Sequence, residues 1–352
     1  MLFFFLFFFL EIIFFYFIIK FYKKNNFKLL LDNNFKKIQS FHKTRAIKIG
    51  GIMLLFNLSI FYILNDHNFF YNKFFLFSLS YFFLGFIVDL NKYEKPLPRF
   101  IIMFFLTFLI ITAYDLKIKS TQITFLDNFL NKDNLLMYLF LTFCFLFIVN
   151  GSNFIDGFNG LLIIKFIIIL SIIFLINYKN PSSNNLNNLC IWLIFSSLVI
   201  LFFNFPTGRI FLGDSGSYLI GGIISILLIE TSNVNVNIPP FLIACVIFYN
   251  FFEVFFSFFR KIIQNKNPFF PDNLHLHMLV FKFLRNKNFT LIKSNYSVSI
   301  IINFTYLFLM LPIIFYNNSS NFYKLYFFIL IIIYLLSYNI LFYLTSNQKK
   351  DF

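Results

Sequence analysis

The stretch that decides the fold is Asn204–Gly222, NFPTGRIFLGDSGSYLIGG, which joins two apolar runs of membrane-spanning length. It places Arg209 and Asp214 at the junction, with glycines and serines around the aspartate. A carboxylate at the mouth of a membrane span is costly unless another charge compensates it. A metal ion with phosphate groups is the compensation that this setting favours. The stretch therefore predicts a membrane protein with a charged site at the start of one helix.

The composition is that of an integral membrane protein. Of the 352 residues, 59% are hydrophobic and 12% are charged, whereas soluble domains contain about 25% charged residues. The apolar runs do not alternate with a period of two, so helices and not barrel strands satisfy their backbone in lipid. We predict an all-α, polytopic protein with a single domain over residues 1–352 and about eleven transmembrane helices. The runs centre on 1–19, 49–65, 70–88, 99–114, 135–149, 160–177, 188–203, 211–229, 238–259, 297–316 and 324–345.

The net charge of +15 is distributed unevenly between the loops. Counted outwards from the first run, one side of the membrane holds 22 of the 29 Lys and Arg residues and the other side holds six, while Lys165 lies inside a span. The positive-inside rule places the rich side in the cytoplasm, the N-terminus outside and the C-terminus in the cytoplasm. This alternation argues against nucleic acid as a partner.

Polar side chains at span ends gather on the predicted cytoplasmic side. Asp89 ends the third span, and the fifth span leads into NGSNFIDGFNGL at 150–161. There Asn150, Asn153 and Asp156 recur every three residues, which aligns three oxygen-bearing side chains along one stripe of a helix or tight turn. Polar groups at this depth are costly unless they line a cavity or bind a ligand.

The longest inner loop, 260–296, carries His275 and His277 among Lys and Arg residues, with Asp272 nearby. A closed zinc site is not expected, because no cysteine and no convincing third ligand lie close in sequence. Imidazoles between cations are better suited to holding diphosphate oxygens.

Glu253 lies inside the ninth span, where it needs a cation such as Arg260 or a cavity. Scarce carboxylates on an otherwise basic face suit magnesium, which prefers oxygen ligands and shares them with substrate phosphates. The chemistry that these residues indicate is phosphoryl transfer at the lipid interface.

Four motifs appear in a recognisable order: GFIVDL, NGSNFIDGFNGL, NFPTGRIFLGDSGS and PDNLHLHMLV. Together they resemble the polyprenyl-phosphate N-acetylhexosamine-1-phosphate transferases of glycosyltransferase family 4. The superfamily of these enzymes includes the phospho-N-acetylmuramoyl-pentapeptide transferase of peptidoglycan synthesis. The resemblance covers roughly residues 38–285 and includes FHKTRAIKIGG at the first inner loop.

The resemblance implies an enzyme that transfers N-acetylhexosamine-1-phosphate from a UDP-sugar to polyprenyl (undecaprenyl) phosphate. The products are polyprenyl diphosphate-sugar and UMP, in the first membrane step of cell-surface glycan synthesis. The implied setting is the inner (plasma) membrane, with the active site on the cytoplasmic face. The expected cofactor is Mg²⁺, with Mn²⁺ as a substitute, and the expected partners are the UDP-N-acetylhexosamine, polyprenyl phosphate, membrane lipid and a second copy in a homodimer. The catalytic loops would lie near 38–51, 85–99, 150–161, 204–217 and 260–296.

The resemblance also implies roles for individual residues. Asp214 would be the principal magnesium ligand and Asn153 the second, Phe211 would stack on uracil, and the two histidines would hold the diphosphate. The implied catalytic residues are Asp89, Asp156, Asp214, His275 and His277. The implied substrate-binding residues are His42, Lys48, Asn150, Asn153, Asn159, Asn204, Phe211, Arg260 and Asp272.

The sequence departs from the family pattern at three positions. Val88 stands where the family usually has the first of two adjacent acids, Ile47 where relatives often have proline, and Met278 where some have a third histidine. We still expect an active enzyme, because a phosphate monoester with a second pKa of about 6 is mostly dianionic at neutral pH and needs no strong base. The alternatives are a secondary transporter of anionic solutes, since intramembrane polar residues also mark transport paths, and a catalytically inactive homologue.

Overall fold

The computed structural model describes residues 2–25, 30–32, 46–65, 69–90, 96–178, 180–235, 237–268, 270, 272–315 and 319–346. Nearly all of them are helical, and the strands of this part of the chain form one two-residue antiparallel pair, β1 and β2 (Leu31–Asp32 and Ala46–Ile47). The prediction of an all-α protein is confirmed. The helices are α1 Leu2–Lys24, α2 Gly50–Leu64, α3 Phe69–Asp89, α4 Pro96–Ala113, α5 Thr124–Leu130, α6 Asn134–Ile155, α7 Leu161–Asn177, α8 Asn184–Asn204, α9 Gly213–Val234, α10 Pro240–Val246, α11 Phe248–Ile263, α12 Leu276–Asn286, α13 Leu291–Phe315 and α14 Ser320–Ser346, with a short 3-10 helix at Pro181–Ser183.

Within these described ranges, seven helices are long and apolar enough to cross a membrane. An eighth span results if α10 and α11, which meet at an angle of 75°, are taken together, and α2 and α7 are shorter apolar helices. Every apolar run found in the sequence coincides with a helix or with this bent pair. The polytopic architecture is confirmed, while the number of about eleven spans stays a prediction.

Two features of the architecture differ from the sequence interpretation. The ninth apolar run is broken at Ile247, between α10 and α11. The inner loop 260–296 is not a plain loop, because it contains α12, whose apolar residues Leu276, Met278 and Leu279 are buried. The two cations within α12, Lys282 and Arg285, are only partly buried, and its apolar residues form the buried stripe of an amphipathic helix. The charge of the surrounding segment concealed this stripe in the sequence.

The core is organised around α9, which is the most buried of the seven spans. Glycines allow its first turns to lie directly against two neighbours. A Cβ atom at Gly85 of α3 would lie 2.2 Å from the carbonyl oxygen of Asp214, and one at Gly51 of α2 would lie 2.5 Å from the amide nitrogen of Gly216. The start of α9 is therefore held in backbone contact with both α2 and α3.

The segment before α2 pairs with the segment before α9 through main-chain hydrogen bonds. The amide of Phe211 donates to the carbonyl of Ile47 at 2.9 Å, and the amide of Gly50 donates to the carbonyl of Phe211 at 3.0 Å. Ile47 and Ile210, which face each other across this bridge, are fully buried. The first inner segment is thus fixed to the loop that carries Asp214.

The contact at Gly85 yields a stability prediction. We expect Gly85→Ala to lower the free energy of unfolding by about 2–3 kcal/mol, because the added methyl group meets backbone that cannot yield without separating α3 from α9. The measurement is thermal unfolding in detergent followed with a thiol-reactive dye, which reports exposure of the buried Cys190 and Cys245. Gly157→Ala is the matched control, since a Cβ atom there has no neighbour within 4 Å. Equal unfolding temperatures for the two variants would contradict the packing argument.

Candidate active site

Three aspartates meet where α3 and α6 end and α9 begins. We call Asp89, Asp156 and Asp214 the carboxylate cluster; Asp89 is the last residue of α3, Asp156 follows α6 and Asp214 lies in the first turn of α9. Lys48, which precedes α2, places its ammonium 3.4 Å from Asp89 Oδ1. The structure therefore brings together the three sequence-predicted acids and one of the predicted cations.

Asp89 is bound to the backbone of another helix. Its carboxylate accepts hydrogen bonds from the amides of Asp214 at 3.1 Å and Ser215 at 2.8 Å, and its side chain is fully buried. These amides belong to the first turn of α9, which has no partner within its own helix. Gly213 has φ +74°, and a Cβ atom there would lie 2.6 Å from Asp89 Oδ2. Asp89 thus caps α9 from α3 and requires a glycine beside it.

Asn153 and Asp214, the two predicted metal ligands, are in direct contact. The side-chain amide of Asn153 donates to Asp214 Oδ1 and also to Ser217 Oγ at 3.0 Å. Asn153 and Asp214 come from different helices and are separated by 61 positions in sequence. Their meeting places an amide and a carboxylate side by side at the edge of the cluster.

Asp156 experiences the charge of the whole cluster. Burial, followed by the negative charges of Asp214 and Asp89, raises the pKa of the Asp156 carboxyl well above its ordinary value, and Lys48 counteracts this only in part. The cluster therefore has more negative charge than the neighbouring lysine neutralises.

A divalent cation fits this donor set chemically. Carboxylate and amide oxygens are the ligands that Mg²⁺ prefers, and the surplus of negative charge favours a cation over any other ligand. Among the described residues, no group of three or more His, Cys, Asp or Glu side chains has the arrangement of a complete protein-built metal site. The residues that would hold magnesium are thus Asp214 and Asn153, with substrate oxygens supplying the remaining positions.

The predicted substrate-binding asparagines are engaged by the protein itself. Asn204 accepts from the amide of Gly160 at 2.6 Å and donates to the carbonyl of Ile210 at 2.8 Å. Asn159 donates to the carbonyl of Pro206 at 2.9 Å. These bonds join the loop after α6 to the loop before α9, so both side chains shape the site. A direct contact between either asparagine and a substrate stays a prediction.

The other predicted residues of these loops lie further from the cluster or outside the described part. Asn150 donates to the carbonyl of Leu146 at 2.8 Å and approaches Met103 Sδ at 3.6 Å. These bonds direct its amide to its own helix and to α4, whereas Asn153 contacts Asp214. Phe211 is partly buried beside the start of α9. His42 lies outside the described residues.

Both histidines are buried and lie against the end of α6. The rings of His275 and His277 are parallel with centres 5.4 Å apart, and Phe154 and Phe158 contact them. His275 Nδ1 lies 3.0 Å from Glu253 Oε1. The structure thus places the histidines beside the loop that carries Asp156.

The imidazole of His277 is buried and uncharged. Burial is the main cause that lowers its pKa to about 3, so the imidazole is neutral at physiological pH. Its Nδ1 contacts Tyr249 Oη at 3.2 Å, and its Nε2 has no hydrogen-bond partner among the described residues. If His277 contacts a diphosphate, it does so as a neutral hydrogen-bond donor and not as a cation.

The expected pairing of Glu253 with Arg260 is wrong. Glu253 accepts from His275, whereas Arg260 Nη2 donates to Asp272 Oδ2 at 2.6 Å. Arg260 and Asp272 lie 12 positions apart in sequence, and both belong to the predicted substrate-binding set. Their mutual ion pair orients the segment before α12.

Sequence reasoning missed Arg99 and Tyr218 as members of the site. The guanidinium carbon of Arg99, in the first turn of α4, lies 6.0 Å from the ring centre of Tyr218. Tyr218 lies one turn after Asp214, is fully buried and has no hydrogen-bond partner for its hydroxyl among the described residues. The sequence feature that could have indicated Arg99 is its position as the last cation before an apolar run.

The contacts of Asp89 yield a prediction that separates capping from proton transfer. Asp89→Ala should lower the free energy of unfolding by about 1–2 kcal/mol, because the buried amides of Asp214 and Ser215 lose their acceptor. Asp89→Asn keeps one acceptor oxygen and should retain more stability and more of the transfer activity that the motifs imply. Thermal unfolding and product formation measured on both variants test this. Equal inactivation by alanine and asparagine, with unchanged stability, would instead support a proton-transfer role.

The pKa of His277 yields a pH prediction. The unfolded imidazole has a pKa of about 6.5, so the unfolded chain takes up the proton first and the folded state loses stability as the pH falls below that value. At pH 5 the loss amounts to about 2 kcal/mol. His277→Gln removes this titration, so its unfolding temperature should fall less between pH 8 and pH 5 than that of the wild type. Parallel decreases would show that His277 is already protonated in the folded protein.

Comparison with known proteins adds an independent finding. The family model described as glycosyl transferase family 4 matches residues 71–232, which include α3 to α9. The undecaprenyl-phosphate alpha-N-acetylglucosaminyl 1-phosphate transferase of Thermotoga maritima is 28% identical over 236 residues, which are 67% of this chain and 68% of that relative.

Two further relatives extend this similarity. The phospho-N-acetylmuramoyl-pentapeptide-transferase of Buchnera aphidicola is 30% identical over 234 residues, covering 58% of this chain and 68% of the relative. The decaprenyl-phosphate N-acetylglucosaminephosphotransferase of Mycobacterium leprae is 31% identical over 149 residues, 37% of each chain. The resemblance noted in the motifs is confirmed, and the chain belongs to glycosyl transferase family 4.

Proposed function

We propose that this protein transfers N-acetylhexosamine-1-phosphate from a UDP-sugar to polyprenyl phosphate, giving polyprenyl diphosphate-sugar and UMP. The names of two relatives specify N-acetylglucosamine phosphate transfer to undecaprenyl or decaprenyl phosphate. This common reaction supports N-acetylglucosamine as the sugar of first choice. The membrane setting of the helices supports a lipid-linked acceptor.

The observation that carries the proposal is the contact between Asn153 and Asp214 inside a cluster of three carboxylates. The cluster lies at the ends of apolar helices, where the phosphate of a membrane-embedded lipid meets a water-soluble nucleotide. A binding protein for neutral lipids would have no need of three acids there, because uncompensated charge at a span end destabilises the fold.

The residues of the site have separable tasks in this mechanism. Asp89 holds the first turn of α9, Lys48 compensates part of the charge of Asp89, and Asn153 orients the Asp214 carboxylate. When bound at Asp214 and Asn153, Mg²⁺ would neutralise charge on the phosphate oxygens. Phe211 lies two residues before α9, and in this proposal its ring would stack on the uracil base. The acceptor phosphate is already mostly dianionic at neutral pH, so the side chains of the site position and compensate charge, and no strong base is required.

The proposal includes the cellular setting. The excess of Lys and Arg on the loops that carry the cluster supports a cytoplasmic active site in the inner (plasma) membrane. A UDP-sugar is available on that face, and the polyprenyl acceptor is anchored in the membrane. A homodimer is part of the same proposal by analogy with the family.

Transfer by isolated protein tests this function. Purified protein with polyprenyl phosphate, Mg²⁺ and a panel of labelled UDP-sugars should yield a labelled lipid product and UMP, and chelation should abolish both. Asp214→Asn should lower the rate about 100-fold or more, because it removes a charged metal ligand from the reacting diphosphate. Labelled lipid is separated by chromatography and counted.

The matched control is Asp133→Asn at the start of α6. Asp133 accepts from the amide of Leu135 at 3.0 Å, and asparagine preserves such a cap, so this variant should retain full activity. Unchanged transfer in Asp214→Asn would refute the metal assignment. Solute uptake into proteoliposomes without any lipid product would instead support the transporter alternative.

A further inference from the structure

Two tyrosines of the last helix, α14, reach the buried cluster that carries the histidines. Tyr334 donates its hydroxyl hydrogen to Glu253 Oε2 at 2.9 Å, and Tyr338, one turn later, contacts Arg260 Nη1 through its hydroxyl at 2.6 Å. Both tyrosines are buried, with 4% and 5% of their surface exposed. Their spacing of four residues places them on one face of α14.

Glu253 connects Tyr334 to the first histidine. While Oε2 accepts from Tyr334, Oε1 accepts from Nδ1 of His275 at 3.0 Å and from the amide of Leu276 at 3.0 Å. The carboxylate is buried, so each of these donors compensates part of the cost of removing it from water. Loss of the Tyr334 donor would leave Oε2 without this hydrogen bond, and the carboxylate would then be held through Oε1 alone.

Arg260 makes the corresponding connection on the other side of His275. Its Nη1 donates to the carbonyl of Leu274, and its Nη2 donates to Asp272 Oδ2. Leu274 and Leu276 flank His275 in sequence. The backbone is therefore fixed by Arg260 immediately before the histidine and by Glu253 immediately after it.

Aromatic packing holds α14 against α11, which carries Glu253 and Arg260. The ring of Tyr334 meets Phe252 edge to face with centres 4.9 Å apart, and the ring of Tyr338 meets Phe256 at 4.7 Å. Because both rings are packed against phenylalanines of α11, the positions of the two tyrosine hydroxyls are fixed.

We propose that Tyr334 and Tyr338 are positioning residues that act through Glu253 and Arg260 to fix the backbone and ring of His275. The effect of this positioning on catalysis rests on the proposed function, in which the segment that carries His275 contacts the diphosphate. Even a small displacement of a positioned group can lower the rate of the transfer reaction strongly. The last helix, which contributes no chemical motif of its own, would in this way be required for full activity.

The first experiment measures position without activity. Hydrogen–deuterium exchange of the full chain in nanodiscs should show faster exchange at the amides of residues 273–279 in Tyr334→Phe than in the wild type. Tyr326→Phe is the matched control on the same helix, because its hydroxyl donates to the carbonyl of Leu309 at 2.6 Å and has no connection to Glu253. Unchanged exchange in Tyr334→Phe, or an equal increase in the control, overturns the proposal.

The second experiment tests whether the tyrosine acts through the histidine. Tyr334→Phe should lower kcat/KM for transfer about tenfold, as expected for a lost hydrogen bond to a charged group. In a His275→Gln background the same change should cost less than about twofold, since residues that act as one unit are not additive. Glu253→Gln replaces this background if His275→Gln has no measurable turnover.

The outcomes separate this inference from the proposed function. If Tyr334→Phe lowers kcat/KM equally in the wild-type and His275→Gln backgrounds, the tyrosine does not act through the histidine and only stabilises the fold. This result would overturn the proposed effect of Tyr334 on catalysis. If the wild-type protein transfers no sugar phosphate to lipid, the proposed function fails, and the exchange experiment alone decides whether Tyr334 fixes the histidine segment. Because tyrosine and phenylalanine differ only in the hydroxyl, the variants should fold, which size-exclusion chromatography verifies.

Discussion

The rest of the structure depends on the carboxylate of Asp89 beneath the first turn of α9. A fully buried charge at the end of one membrane helix needs donors, and the unpaired amides at the start of another helix are the nearest that the fold supplies. This bond fixes α3 against α9 and requires a left-handed glycine at Gly213 and a glycine at Gly85. It also fixes Asp214, so the packing of the core and the geometry of the site have the same cause.

The loops of the site are held together by hydrogen bonds in which at least one partner is a main-chain group. Asn204 bonds to the amide of Gly160 and to the carbonyl of Ile210, and Phe211 pairs with Ile47 along the main chain. These bonds connect three inner segments before any substrate arrives. A site organised in this way can compensate charge without rearranging at the moment of reaction, which is where preorganised electrostatics is most effective.

The sequence predicts features that depend on local composition. It does not predict contacts between residues that are far apart in the chain. Apolar runs predicted every long helix, because hydropathy is a property of neighbouring residues. The meeting of Asn153 and Asp214 agrees with the family resemblance, which implied that both residues bind one magnesium ion. The hydrogen bond between Glu253 and Tyr334 was not predictable from the sequence. Tyr334 lies 81 positions away, and nothing in the sequence distinguishes it from other tyrosines in apolar runs. The helix α12 escaped detection because it lies in a segment rich in Lys, Arg and Asn, which resembles a connecting loop.

Val88 takes the place of the first acid of the family pattern, and we expect the enzyme to be active without that acid. Both oxygens of Asp89 already accept hydrogen bonds from α9 amides, and burial lowers the pKa of His277, which makes its imidazole a weak base. The acceptor needs little help, because a second pKa of about 6 leaves most of it dianionic at neutral pH. The larger barrier is repulsion between this dianion and the diphosphate, where even one pair of unit charges 4 Å apart costs about 4 kcal/mol at an effective dielectric of 20. In the proposed reaction, compensation of this charge would therefore matter more than a strong base, and the fold places the cations Lys48 and Arg99 near the carboxylate cluster.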